Sequence, residues 1–443
     1  MKTSITRRNF LNTSAVAATG VLIAPHLISC SANSKVNIAV IGSGGRGVQN
    51  WSPIENENIV AFCDVDDRMF GKANELYPDV PHFKDFRRMF DKIHRDIDAV
   101  IVSTPDHTHF AATIEAIERK KHVYVEKPLA HNVWQVRQLK ERAAKKKIIS
   151  QMGNQGHATD GIRRVKEWYD AGVLGEVREV HAWFDGPSWG GSWFKKPDVF
   201  PPPVVPVPSE LDWDLWLGPN QKRDFTNYYL PRVWRGWYDF SSGMLGDWGC
   251  HTLDAPFWSL DLGAPTKVVC ETKAETPQGF LEDASIVRYE FPARGNKPPV
   301  TLKWYQGGHK PENRPEWGME NLPSSGMIMV GSKKSLMTAA RPENERLLVP
   351  EEEWIAFNEN PPTPTIPRIG SGPQLEWINA IKGDGPMPGS NFDYASDLTE
   401  IVLLGALAQK TNSSLDYDAK NMKITNHPDF DKFLKEPVRD GWE

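Results

Sequence analysis

Val36-Asn37-Ile38-Ala39-Val40-Ile41 runs directly into Gly42-Ser43-Gly44-Gly45-Arg46-Gly47. The first six residues are mostly β-branched and apolar, as expected of a strand buried on both faces. The next six form GxGxxG, in which Gly42 permits a tight turn, Gly44 lets the backbone approach a pyrophosphate, and Gly47 lets a helix pack near the strand. That helix would aim its first amides at the phosphates, which places Gly45 and Arg46 at the same end of the site. Alone the motif is weak. A second strand, Ile59 to Cys63, strengthens it by ending in Asp64, 22 residues beyond Gly42. A carboxylate there binds the adenosine ribose hydroxyls. Together these features predict a dinucleotide site with NAD as cofactor, because Asp64 repels a 2′-phosphate. Arg46 and Arg68 temper that preference and leave NADP open.

Further along, Asp98 to Ser103 reads as a strand that leads into Thr104-Pro105-Asp106-His107-Thr108-His109. A helix from about Phe110 to Arg119 follows, then the strand Val123-Tyr124-Val125 and Glu126-Lys127-Pro128. Strands alternating with helices predict an α/β fold with a doubly wound parallel sheet, whose ligands lie at the carboxyl ends of the strands. Both Thr104-Pro105 and Glu126-Lys127 fall at such ends. His107 and His109 lie close enough to serve the cofactor, although a purely structural role fits the same position. The expected dinucleotide-binding domain is residues 31–153.

The chain has 443 residues, 40% hydrophobic and 25% charged, with a net charge of −5 and no long basic stretch. This composition excludes a disordered chain and a multispan membrane protein, and it disfavours nucleic acid as a partner. From Asn154 onward the strand–helix alternation weakens, which marks residues 154–443 as a second domain whose last segment, from Asn412, is expected to wrap back. Nine of the seventeen Trp lie between Trp183 and Trp258, with Trp234-Arg235 among them. Aromatic faces suit the C–H faces of sugars, although Trp also fills domain interfaces. Asp247 and His251 are four apart in Gly246-Asp247-Trp248-Gly249-Cys250-His251 and would share one face of a helix. The carboxylate would then orient the imidazole as a general base. A structural histidine and a metal pair are the competing readings. No third ligand stands nearby, so no metal is expected.

At this point the chain resembles the glucose–fructose oxidoreductase / inositol dehydrogenase / MocA family (Gfo/Idh/MocA). The resemblance rests on the GxGxxG start, the Thr-Pro turn with a nearby His, Glu126-Lys127-Pro128, Gly153-Asn154-Gln155-Gly156-His157, and the Asp247-x-Gly249-x-His251-x-x-Asp254 pattern. It implies a Rossmann domain followed by a substrate-binding α/β domain with an open, mostly antiparallel sheet, and Lys127 as the catalytic lysine. Asp247 and His251 fall at catalytic positions, and burial near the nicotinamide would make Lys127 an alternative proton acceptor. Asn154, Gln155 and His157 would approach the nicotinamide or substrate, and Trp234 and Arg235 would line the substrate side. The expected activity is hydride transfer between a dinucleotide and a small carbohydrate or polyol. Two alternatives stand beside it: glycoside hydrolysis by transient sugar oxidation, known among relatives, and a non-catalytic sugar-binding lipoprotein. A homo-oligomer is expected.

The N-terminus carries Lys2, Arg7 and Arg8 ahead of an uncharged run from Thr13 to Cys30. The apolar part, Ala15 to Ile28, is too short to span a bilayer comfortably and reads as a signal peptide. Thr6-Arg7-Arg8-Asn9-Phe10-Leu11 resembles a twin-arginine signal, and Leu27-Ile28-Ser29-Cys30 resembles a lipobox in which Cys30 becomes lipidated. Residues 1–30 are therefore expected to direct export to the periplasm or cell envelope, with a lipid anchor as the only membrane attachment. Because that route moves folded proteins, the dinucleotide would travel already bound, and a redox-balanced cycle that recycles it is expected. Cys63, Cys250 and Cys270 would remain in the mature chain without a structural disulfide.

Overall fold

The computed structural model describes residues 35–277 and 279–442, so the export signal and Cys30 lie outside the described residues. Six parallel strands build the first sheet: β1 (Asn37–Ile41), β2 (Asn58–Cys63), β3 (His82–Phe83), β4 (Ala99–Val102), β5 (His122–Val125) and β6 (Ser150–Met152). Their order is β3-β2-β1-β4-β5-β6, the Rossmann arrangement expected from the strand–helix alternation. Alternate residues of β1 and β4 enter different cores. Ala39, Ile41, Val100 and Val102 face one, while Ile38, Val40, Ala99 and Ile101 face the other. Burial on both faces is the reason these strands read as unbroken apolar runs.

The second sheet contains β7 (Val177–Phe184), β8 (Lys267–Lys273), β9 (Ser285–Phe291), β10 (Val300–Gln306), β11 (Gly326–Gly331), β12 (Ser335–Thr338), β13 (Arg346–Leu348), β14 (Ser414–Asp418) and β15 (Lys423–Ile424). Its order is β13-β12-β11-β7-β10-β9-β8-β14-β15, antiparallel throughout except between β7 and β10. The fold is thus a doubly wound sheet joined to an α/β domain with a mixed, mostly antiparallel sheet.

Helices from the second half reach back to the first. The helix Gly372–Lys382 inserts Trp377 and Ile378 into the core beneath β1 and β5, so position 154 does not separate the halves cleanly. The helix Phe392–Thr411 begins at Asn391, whose side chain accepts the amide of Asp393, and it packs on the helix Val133–Lys146 of the nucleotide half. There Arg137 forks onto Glu400 at 2.7 and 2.6 Å. The terminal segment touches both halves: Glu436 bonds His131 at 2.8 Å, and Trp442 lies against Phe86 beneath the Arg87 guanidinium. Between β7 and β8 the chain has no strand. It forms instead an aromatic cluster of Trp213, Trp216, Phe225, Tyr229, Trp237 and Phe240, joined by Phe280 from the connection between β8 and β9.

Candidate active site

A cavity of about 940 Å³ opens at the carboxyl ends of the parallel strands and continues under the second domain. One end is formed by the glycine loop, with Gly42, Gly44, Gly45 and Arg46, and by Asp64 at the end of β2. Asp64 accepts the amides of Ser43 at 2.8 Å and Asp66 at 3.2 Å. Burial pushes its carboxyl up to about 6 despite these bonds. Gly47 is needed for close packing, because a Cβ there would lie 1.9 Å from the Gly42 carbonyl oxygen. Gly44 lines the cavity, and a Cβ there would also strike the Met69 side chain at 2.7–2.9 Å, so packing gives a further need for glycine at this position. The helix after the loop, Arg46–Trp51, is only six residues long.

Both arginines that could have weakened the NAD preference are engaged by neighbours. Arg46 Nε donates to Glu126 at 2.8 Å, and Arg68 forks onto Asp66 at 2.7 and 2.6 Å. Buried Glu126 also accepts from Asn50 at 3.0 Å and Gln155 at 3.3 Å. Burial alone would raise its carboxyl, yet the Arg46 and Lys127 cations hold it below its ordinary value. Thr104, Pro105, Glu126 and Gln155 all line the cavity as expected.

At the other end Lys127 Nζ donates to the backbone oxygen of Asp247 at 2.6 Å and to its Oδ1 at 2.8 Å. Arg235 Nε reaches the same Oδ1 at 3.4 Å. Burial works to raise the Asp247 carboxyl, but these two cations hold it far below the usual carboxylate range. This corrects the expected Asp247–His251 pair. Two cationic donors outcompete a neutral imidazole for one carboxylate, and His251 Nδ1 is buried without a hydrogen-bond partner among the described residues. Burial, reinforced by Lys127 and Arg341, drives the His251 pKa well below its ordinary value, with Asp247 opposing. The segment that carries both residues is a π-turn, Leu245–Gly249, followed by one helical turn, Cys250–Thr252. Trp193, Trp216, Trp234 and Trp248 line the walls. Trp248 stacks on Phe184 with centroids 4.0 Å apart, and Arg235 lies over Trp234 and Trp193.

Four other expected site residues do not line the cavity. His107 and His109 occupy the first turn of the helix Asp106–Glu118, which starts before the expected Phe110. His107 bonds the Trp216 carbonyl at 2.9 Å and packs on Phe240, with burial lowering its pKa to about 3. Both ring nitrogens of His109 face carbonyl oxygens, of Pro128 and Thr104, at 2.8 Å. It is a strut between the two strand-end loops. Asn154 and His157 are buried on the Asp254 carboxylate at 3.0 and 2.9 Å, where Tyr394 also donates. Sequence reading missed Arg341 and Trp193, which stand in no motif. Among the described residues no cluster of three or more His, Cys, Asp or Glu has ligand geometry, and Cys63, Cys250 and Cys270 are free.

The cavity suits a dinucleotide on its own chemistry. Its volume is near the top of the ~300–1,000 Å³ usual for ligand sites, and Thr104 Oγ1 and Gln155 Oε1 are buried without partners on its wall. A Cβ on Gly45 would meet nothing within 4 Å.

Two family models match the chain: "Oxidoreductase family, NAD-binding Rossmann fold" over residues 36–154 and "Oxidoreductase family, C-terminal alpha/beta domain" over residues 159–288. A "Glycosyl hydrolase family 109 protein" of Solibacter usitatus is 34% identical over 118 residues, 24% of this chain and 27% of its own length. The inositol 2-dehydrogenase/D-chiro-inositol 3-dehydrogenase of Lacticaseibacillus casei is 31% identical over 160 residues, 33% of this chain and 44% of its own. The matches thus span less than half the length of these relatives. Among solved structures, the WlbA dehydrogenase of Chromobacterium violaceum, in complex with NADH and UDP-GlcNAcA, shares the fold with a TM-score of 0.61 at 17% identity, covering 87% of this chain and 97% of that one. An inositol dehydrogenase homologue of Azotobacter vinelandii, complexed with NADH and myo-inositol, superposes with a TM-score of 0.56 at 17% identity over 87% and 98% of the two chains. The two models together take in more than half of the sequence, and with the NAD-binding Rossmann half and the mixed-sheet half both in place, the chain belongs to the Gfo/Idh/MocA oxidoreductase family.

Proposed function

We propose that this chain is an NAD-dependent oxidoreductase acting at a carbinol carbon of a carbohydrate or polyol, with a tightly held cofactor that is recycled internally. The observation that carries the proposal is one continuous cavity with the glycine loop and Asp64 at one end and Lys127, Asp247, Arg235 and His251 at the other. The sugar and polyol ligands of the structural neighbours support it. Asp64 would hold the adenosine ribose, the glycine loop the phosphates, and Thr104, Glu126 and Gln155 the nicotinamide half. Bound there, NAD would supply the two-electron acceptor or donor.

The chain's own groups supply the rest. An ammonium has three N–H donors, and Lys127 spends two on Asp247. The third is left for a substrate oxygen in the cavity, where it stabilises developing negative charge. Arg235 grips the same Asp247 oxygen and keeps the lysine's anchor in place. His251, held neutral, takes the hydroxyl proton. Its imidazolium is disfavoured beside Lys127 and Arg341, which favours return of the proton to the substrate oxygen when the hydride is given back. The Trp walls stack on apolar sugar faces and exclude water.

The test is a carbohydrate and polyol screen with the purified protein, following nicotinamide absorbance with and without added NAD and after extensive dialysis. Reduction by at least one sugar supports the reading, and turnover that persists after dialysis supports the recycled cofactor. Absence of NAD reduction by every sugar tested sinks it, and an apo protein that needs free NAD for stoichiometric NADH production sinks the recycled cofactor. A second reading is favoured by the family-109 glycosyl hydrolase relatives at 34% and 30% identity. On that reading the oxidation is transient and a glycoside is cleaved, so released aglycone without net NADH identifies it. We further propose that residues 1–30 direct folded export and lipidation of Cys30, and that the protein assembles as a homo-oligomer. Cell fractionation, mass spectrometry of the N-terminal peptide and light scattering test these three points in turn.

A further inference from the structure

Three cations stand on the wall around His251, and two of them share one anion. Lys127 and Arg235 both bond Asp247, whereas the Arg341 guanidinium has no hydrogen bond or ion pair among the described residues. Among the described residues the guanidinium meets the Trp248 ring, 5.5 Å from its centroid, and its Nε is buried. Arg341 is half-buried with its Nε covered, so the guanidinium turns its remaining N–H groups to the cavity without the anionic partner that such groups ordinarily have.

The backbone beneath Arg341 is clamped. Ala339 donates to the Glu343 carbonyl at 3.0 Å, closing the loop after β12. Thr159 Oγ1 donates to the Pro342 carbonyl at 3.1 Å, and Arg164 pairs with Glu345. Pro342 sits so close to the other wall that a Cβ on Gly156 would lie 2.5 Å from its Cδ, and one on Gly161 would lie 2.1 Å from its carbonyl oxygen. The Gly153–His157 motif therefore seats the Arg341 loop, while its own Asn154 and His157 turn away from the cavity. Arg341 lines the cavity together with Trp248 and His251.

We propose that Arg341 is a specificity residue that receives an oxyanion of the sugar substrate, a carboxylate or a sulfate ester, so that the substrate class is an acidic carbohydrate. This rests on the carbohydrate reading of the same site given above. Asp247 makes no ion pair with Arg341 and already faces the two cations Lys127 and Arg235. A substrate anion can, through the paired N–H fork that suits carboxylate and sulfate oxygens.

The experiment uses the NADH-loaded full chain and three matched pairs in calorimetry: glucuronate against glucose, galacturonate against galactose, and N-acetylglucosamine 6-sulfate against N-acetylglucosamine. At least one charged member should bind about tenfold or more tightly than its neutral twin, the usual scale of a charge-assisted bond. The uronate and sulfate arms tell which oxyanion is received. In Arg341→Gln the advantage should fall to within about threefold, and Arg341→Lys should keep part of it, with unchanged melting midpoints showing that both variants fold. Equal affinity in all three pairs, no binding by any charged sugar, or an advantage that survives Arg341→Gln overturns the proposal. So does an Arg341→Gln variant that loses NADH affinity as strongly as sugar affinity, since the guanidinium would then serve the dinucleotide. If charged sugars bind through Arg341 but none is turned over, the oxidoreductase reading fails and the anion site stands. Turnover without regard to charge has the opposite meaning.

Discussion

Lys127→Ala removes the ammonium proposed to act on the substrate oxygen and leaves the glycine loop and Asp64 intact. Its kcat should fall by about 10² or more, the usual effect of losing one oxyanion donor, while the NADH dissociation constant measured by fluorescence stays within a few-fold. A kcat that survives would take Lys127 out of the chemistry. Asp64 makes a pH prediction. Its carboxyl is raised to about 6, so the group is ionised above that value and takes up a proton below it. Repulsion of a 2′-phosphate should therefore be strong at pH 8 and fade as pH drops through 6, so the NADP-to-NAD ratio of dissociation constants should shrink toward pH 5. A ratio that stays flat would show that Asp64 does not face the ribose. Both residues were legible in the sequence because each sits at a fixed offset from a strand end, where backbone geometry dictates what it meets. Arg341 was not legible, since it is placed by a loop seated on Gly156 and Gly161 from far along the chain. The Asp247–His251 pairing was misread for a related reason. Spacing shows which residues share a face, but it cannot show that two cations from Lys127 and Arg235 have claimed the carboxylate.

The same division holds for whole elements. Strands β1, β4 and β5 are readable because burial on both faces leaves a continuous apolar run. The sequence also reads as helical from Gln374 to Ile381 and from Tyr394 to Gln409, inside the observed helices Gly372–Lys382 and Phe392–Thr411. What they cover was not readable, because an apolar stripe does not name its partner. Trp377 belongs to the nucleotide half. It is fully buried under Tyr124, and its indole N–H donates to the Ile149 carbonyl at 3.2 Å. Trp377→Ala should cost about 3–5 kcal/mol, the range for an emptied aromatic core site, and chemical denaturation of purified protein reads it directly. A loss under about 1 kcal/mol would mean that the helix rests on the sheet without supporting it. The start of the helix Asp106–Glu118 was placed too late, which turned His107 and His109 into cofactor candidates. In the first turn of that helix they point at Trp216, Thr104 and Pro128, and they brace the loops that carry the site.

At the scale of the molecule, a cut at residue 153 follows the Rossmann sheet but not the core. One hydrophobic cluster runs from Ala39 and Val102 of the first sheet through Val136 and Leu139 to Leu398, Val402 and the second sheet. The Arg137–Glu400 fork and the bond from Ser396 to the Val136 carbonyl at 3.1 Å tie the same helices together. A fragment of residues 35–153 would expose the face that Trp377 and Ile378 cover, along with the outer face of the helix Val133–Lys146. Exposed apolar surface of that kind does not support a stable small domain. Such a fragment should therefore be insoluble or lack a cooperative melt, and co-expression with residues 154–443 should restore it. The intact chain should melt in one cooperative step. NAD held by the glycine loop and Asp64 would touch mainly the first half, yet in a single cooperative unit it would stabilise the whole by mass action, about 2.7 kcal/mol at a hundredfold excess over its dissociation constant. Calorimetry with and without NAD separates the two pictures. One transition that moves upward as a whole is expected. Two transitions, of which NAD shifts only one, would show that the halves fold independently and that the late helices are not integral to the nucleotide site.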